Sequence, residues 1–152
     1  MATIRKVVSL GVPATDAWDA IRDWGAVHDR VARGFVTATT VEEGARVVTF
    51  ANGLVAREVL VTLDDDRRRL VYSAAGGRLT HHNASFEVTE EGRGCRVTWT
   101  ADLLPEEMAP AVSSMMDDGA AAMKRTLEGL DRSAPQDVPG ARRLRRRVES
   151  RL

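Results

Sequence analysis

The chain has 152 residues, no formal net charge, and 43% hydrophobic and 29% charged residues, a balance that describes one soluble globular domain and excludes a disordered chain. No apolar run approaches the roughly 20 residues of a membrane span, and Met1–Lys6 lacks the apolar segment of a signal peptide. The single cysteine, Cys95, leaves no internal disulfide to form, so a reducing, cytoplasmic setting is the expectation.

In chain order, Ile4, Val8, Leu10 and Val12 alternate as a first strand. Pro13-Ala14-Thr15-Asp16 breaks it, and Thr15 or Asp16 can cap a short helix over 14–22 that buries Ala17, Trp18 and Ile21. Asp23-Trp24-Gly25 ends that helix, and a second short one is predicted over 26–32, carrying His28, Asp29 and Arg30. From Gly34 the pattern is strand after strand: 35–42, 46–51, 54–63, 69–75, 79–89 and 95–104. The turns between them are Glu43-Gly44, Asn52-Gly53, Asp64-Asp65-Asp66, Gly76-Gly77 and Glu90–Gly94, of which Asn52-Gly53 is the strongest hairpin signal. Strands grouped apart from helices argue for an α+β fold with an antiparallel sheet.

Pro105–Leu130 then reads as one long helix of about six or seven turns. Pro105 suits its first turn, and Glu106 and Glu107 suit the positive end of its dipole. Met108, Val112, Met115, Gly119, Met123, Leu127 and Leu130 form a single apolar stripe. That stripe must lie against the sheet. It is built from Met, Ala and Gly more than from Leu and Phe, which suits either an adaptable cavity lining or an ordinary core filled by thioethers.

The titratable candidates are few. Only His28, His81 and His82 are histidines and only Cys95 is a cysteine, so a metal site is not expected and no cofactor motif is present. Gly76-Gly77 lacks dinucleotide-loop spacing, and no nucleophile–histidine–acid order is found. His28 and Arg30 can hold an acidic or carbonyl group of a ligand, or can form a solvated polar turn. Phe86 and Val88 mark the inner parity of their strand, which turns His82 and Ala84 inward and His81 outward. For Glu58, periodicity alone points the side chain outward, because Val55, Val59, Val61 and Leu63 hold the other parity.

Several stretches together resemble a family: Val12-Pro13-Ala14 leading to Ala17-Trp18, Arg57-Glu58, Leu63-Asp64-Asp65, Arg68–Ser73, and Trp99 before Asp102-Leu103-Leu104-Pro105. Over residues 3–130 the chain resembles the START-like (SRPBCC) superfamily, and within it the bacterial polyketide cyclase/dehydrase and lipid-transport-like proteins. More distantly it is similar to the plant abscisic-acid receptors. The resemblance implies the helix-grip fold: a seven-stranded antiparallel sheet wrapped around the long C-terminal helix, with two short helices between strands 1 and 2. It also implies a cavity between sheet and helix.

By that resemblance Asn52-Gly53-Leu54 stands at a gate and Arg78-Leu79-Thr80 at a latch, although Val55 replaces the gate proline. Glu58, Tyr72 and His82 match pocket positions, which turns Glu58 inward, against its periodicity. The expected lining then includes Val48, Phe50, Leu54, Tyr72, Ala74, Leu79, Ala84 and Trp99 from the sheet and its turns, and Val112, Met115, Met116 and Gly119 from the helix. Two functions fit such a cavity: binding of a small hydrophobic, polyketide- or lipid-like molecule, or cyclase, aromatase or dehydratase chemistry with Glu58, His82 or His28 moving protons.

Beyond residue 130 the composition changes. Residues 131–141 read as a flexible linker. Residues 142–152 carry six arginines against Glu149, a local excess of +5 that leaves −5 on the rest of the chain. This basic tail suits weak contact with an acidic protein or an anionic membrane. Without an aromatic residue for stacking it does not favour nucleic acid, and the body fits a monomer or a homodimer.

Overall fold

A computed structural model describes residues 1–132, so the predicted linker and basic tail lie outside the described residues apart from Asp131 and Arg132. Strand β1 (Ala2–Leu10) leads into α1 (Ala14–Ile21), a 3-10 turn (Trp24–Ala26) and a π-helical turn (Val27–Val31). Strands β2 (Val36–Glu42), β3 (Ala45–Phe50), β4 (Val55–Asp64), β5 (Arg69–Ala75), β6 (His81–Glu91) and β7 (Gly94–Leu104) follow. A further 3-10 turn (Glu106–Met108) opens into the long helix α2 (Ala109–Arg132).

The seven strands form one antiparallel sheet in the order β1-β7-β6-β5-β4-β3-β2. Each hairpin pairs with the next, and β1 closes back on β7. This is the helix-grip architecture, with α2 against the sheet. The second predicted short helix, 26–32, is present as the π-helical turn Val27–Val31, separated from the preceding 3-10 turn by Ala26 (φ −119°), which leaves helical geometry.

The core lies between the inner face of the sheet and the C-terminal half of α2. Val8 and Leu10 of β1, Phe86 and Val88 of β6, and Cys95 and Val97 of β7 are buried there with Ala122, Met123 and Leu127. Burial pushes the Cys95 thiol above its ordinary range. The helical insert is tied down at its outer end: Trp18 Nε1 and Arg22 Nε donate to Asp65 Oδ1 at 2.9 and 2.7 Å. Arg22 and Trp18 together hold the Asp65 carboxyl below the usual carboxylate range.

Where β1 meets the β6–β7 turn the two backbones leave no room for a side chain. A Cβ on Gly94 would lie 2.0 Å from the Leu10 carbonyl oxygen. Gly94→Ala should therefore force β1 away from β7 and cost about 3 kcal/mol, the upper range for overpacking, seen as a lower urea midpoint with an unchanged slope. A midpoint within error of the native chain would refute that close approach.

Candidate functional site

Away from the filled core, the sheet and the N-terminal half of α2 diverge around a cavity of about 360 Å3. Its walls come from four places. The inner face of the sheet gives Val48, Phe50, Tyr72 and Trp99; the helical insert gives Val27, Val31 and Ala32; α2 and the turn before it give Met108, Val112, Met115 and Met116; and the turn segments near the mouth give Leu54 and Leu79. Gly119 explains why α2 can approach without filling the space. A Cβ there would lie 2.9 Å from Trp99 Cζ3 and 3.0 Å from Phe35 Cε2, so only glycine lets both rings keep their places.

The sheet wall is aromatic. Tyr72 and Phe86 stack at 6.0 Å between ring centroids, Phe86 and Trp99 at 5.2 Å, and Trp99 Nε1 donates to the Tyr72 hydroxyl at 3.2 Å. His82 lies 6.2 Å from Tyr72, and its Nδ1 is buried without a hydrogen-bond partner.

Set into this apolar space is an ion pair. Arg46 Nε donates to Glu58 Oε1 at 2.8 Å, with both residues buried. Arg46 Nη1 reaches the Trp24 carbonyl at 3.1 Å, and the guanidinium carbon sits 3.8 Å from the Trp24 ring centroid. Burial pushes the Glu58 carboxyl above the ordinary glutamate range, against the opposing pull of Arg46. Burial, reinforced by the Glu58 charge, raises Tyr72 far enough that it stays a phenol. His82 is lowered, by burial first and by His81 second, and stays neutral near pH 7.

Glu58 faces inward because β4 is bulged. Its register against β5 shifts between Leu60 and Thr62, so Val61 is the extra residue and the parity reverses beyond it. Before the bulge Ala56, Glu58 and Leu60 face in; after it Leu63 does. Val55, Val59 and Val61, whose apolar character suggested the core face, are exposed at 62%, 37% and 56%.

Glu58, His82, Val48, Phe50, Leu54, Tyr72, Ala74, Leu79, Trp99, Val112, Met115, Met116 and Gly119 all line the one cavity. Three expected residues do not. Ala84 is only 1% exposed, packed in the sheet between Tyr72 and Ala101, so it belongs to the solid core. His28 pairs its Nδ1 with Thr39 Oγ1 at 3.1 Å. Arg30 is held by Asp19 and Asp23 at 2.8 and 2.9 Å, bracing the insert against α1. Neither lines the cavity.

Arg46 was not among the expected site residues, although two signals point to it. It shares the parity of Val48 and Phe50, and it lies opposite Glu58 when pairing is counted outward from Asn52 in the β3–β4 turn. Among the described residues no three His, Cys, Asp or Glu side chains gather as metal ligands, and no helix is long and apolar enough to cross a membrane.

Residues 1–128 match the family described as polyketide cyclase/dehydrase and lipid transport. The chain belongs to that family. A search of curated proteins gave no match. Among solved structures the family fold recurs in XoxI from Bacillus cereus, 18% identical, with a TM-score of 0.76 over 86% of this chain and 99% of the other. A solution structure from Thermobifida fusca is 31% identical, with a TM-score of 0.68 over 84% of this chain and 91% of that one. A START superfamily protein from Mycobacterium smegmatis is 12% identical, with a TM-score of 0.64 over 84% and 95% of the two chains. This family's fold therefore accounts for the whole described body.

The buried pair makes a stability prediction. Arg46→Leu should cost about 3–5 kcal/mol by stranding the carboxylate, and Arg46→Leu with Glu58→Leu should recover much of it. Glu58 already has a raised folded pKa, so its contribution is present in full below the ordinary glutamate value and is lost as pH rises through the folded value. Without Arg46 the folded pKa rises further. Urea midpoints should accordingly show a larger deficit of Arg46→Leu at about pH 8 than at about pH 5, and an equal deficit at both would place the carboxylate in water.

Proposed function

We propose that the protein binds a small, mainly apolar molecule, polyketide- or lipid-like, between the sheet and the first half of α2. The observation that carries this reading is the unfilled, aromatic-walled cavity around Glu58: α2 is held off Trp99 and Phe35 by nothing larger than a hydrogen atom at Gly119. A volume of about 360 Å3 falls within the range of small-molecule sites, roughly 300–1,000 Å3. Leu54, Leu79 and the N-terminal part of α2 are the proposed contacts at the mouth, and Val48, Phe50, Tyr72, Trp99, Met115 and Met116 those inside.

A catalytic reading of the same cavity has its own support. Glu58 has a carboxyl with raised proton affinity and His82 lines the same cavity, and titratable groups set in a cavity are candidates for proton transfer on a bound chain. Cyclase, aromatase or dehydratase chemistry, with Glu58 and His82 as the proton carriers, is the class it fits.

Native mass spectrometry of the purified full chain tests the binding reading by identifying any retained molecule. Gly119→Leu should then lower retention at least about tenfold while costing about 1–3 kcal/mol in stability. Unchanged retention in a folded Gly119→Leu protein would move the ligand elsewhere. If a retained molecule is turned over, Glu58→Gln should reduce kcat far more than binding, since it removes the proton carrier and keeps the shape.

A further inference from the structure

We infer that the cavity selects an uncharged ligand whose polar end both donates and accepts hydrogen bonds, a phenol, enol or hydroxyketone on an apolar body, and that the Arg46–Glu58 pair excludes carboxylates and ammonium groups. This rests on the binding reading above and narrows it to a chemical class.

The polar inventory of the lining is short. Among the described residues Arg46, Glu58, Tyr72 and His82 are the polar side chains set among the apolar walls, and Arg78 is exposed on the mouth segment. The Trp99 indole N–H is already committed to Tyr72. Arg46 and Glu58 neutralise each other at 2.8 Å, so the interior offers no net charge to a ligand. A carboxylate entering here would share one guanidinium with Glu58, placing two like charges in an apolar space, or would displace Glu58 and strand it. An ammonium group would meet the mirror problem at Arg46. A neutral ligand meets neither.

What remains unused is hydrogen-bonding capacity of both kinds. The Tyr72 oxygen accepts from Trp99, which leaves its own O–H to donate. Glu58 Oε1 takes the Arg46 bond, and Oε2 takes none among the described residues, so it can accept. Tyr72, Phe86 and Trp99 supply aromatic contact surface for the ligand's apolar body.

Equilibrium dialysis of the full chain at about pH 7.5, against 2-naphthol, naphthalene, 2-naphthoate and 2-naphthylmethylamine, tests this with one ring system and four polar ends. The expected result is 2-naphthol at least about tenfold tighter than each of the others, the ratio one well-made buried hydrogen bond produces. Tyr72→Phe should weaken 2-naphthol at least about fivefold more than naphthalene. Glu58→Gln, which frees Arg46, should shift the ratio of naphthoate to naphthol affinity at least about tenfold towards naphthoate.

The inference falls if naphthoate or the amine binds the native chain as well as naphthol, or if Tyr72→Phe weakens naphthol and naphthalene alike; in either case binding in the cavity itself stands. Should no probe bind at all, the binding reading fails and the inference with it. Where Glu58→Gln does not fold, the four probes on the native chain and Tyr72→Phe still decide.

Discussion

The Arg46–Glu58 pair is the constraint on which the rest of the site depends. It joins neighbouring strands of the β3–β4 hairpin across the inner face, and through the bond from Arg46 to the Trp24 carbonyl it ties the sheet to the helical insert. An exposed pair of this kind contributes little. Here both partners are buried, so removing either one strands the other in an apolar space. Replacing the pair with well-packed apolar residues would tend to be neutral or stabilising. Its presence is therefore better explained by what it does for the cavity than by what it adds to the fold.

Helix α2 divides its labour along its length. Towards its C-terminus Ala122, Met123 and Leu127 are buried in the core. Towards its N-terminus Val112 and Met115, with Met108 in the turn before it, are only partly buried and line open space. Gly119 stands between the two regimes, pressed against Trp99 and Phe35. A larger residue there would push these rings into the cavity, so the empty volume depends on one missing side chain. The methionines beyond it, being flexible and polarizable, can close around guests of differing outline.

The fold was legible from the sequence because its signals are local. Turn residues punctuate every hairpin, alternation marks β6 and β7, and the 3.6-residue stripe marks α2. Part of the cavity lining was legible on the same terms: Val112, Met115 and Gly119 follow from helical spacing and His82 from strand parity, while Val48 and Phe50 came with the family resemblance. What failed was non-local. The β4 bulge reverses parity within one strand, and no residue in Val59-Leu60-Val61-Thr62 announces it, so only family resemblance turned Glu58 inward. Arg46 was hidden differently, at the start of a strand beside the Glu43-Gly44 turn, where a charged residue reads as a turn residue. His28 and Arg30 misled because their partners, Thr39, Asp19 and Asp23, are found only once the insert is folded onto α1 and β2. Ala84 had the right parity but the wrong depth, since parity gives the face of a strand and not where along it the helix draws away.

The binding and catalytic readings differ by less than their names suggest. A neutral hydroxyketone held by the Tyr72 hydroxyl and Glu58 Oε2 would have a donor at its carbonyl and an acceptor at its hydroxyl. That is also the arrangement that stabilises an enol forming from it, because the donor strengthens as charge gathers on the oxygen. Burial raises the proton affinity of Glu58 while Arg46 steadies the carboxylate when it loses the proton, so either protonation state is tolerable within the pair. On the two proposed readings the difference would lie in the guest: only one with an acidic C–H or a leaving hydroxyl beside Glu58 or His82 would offer those groups a proton to move.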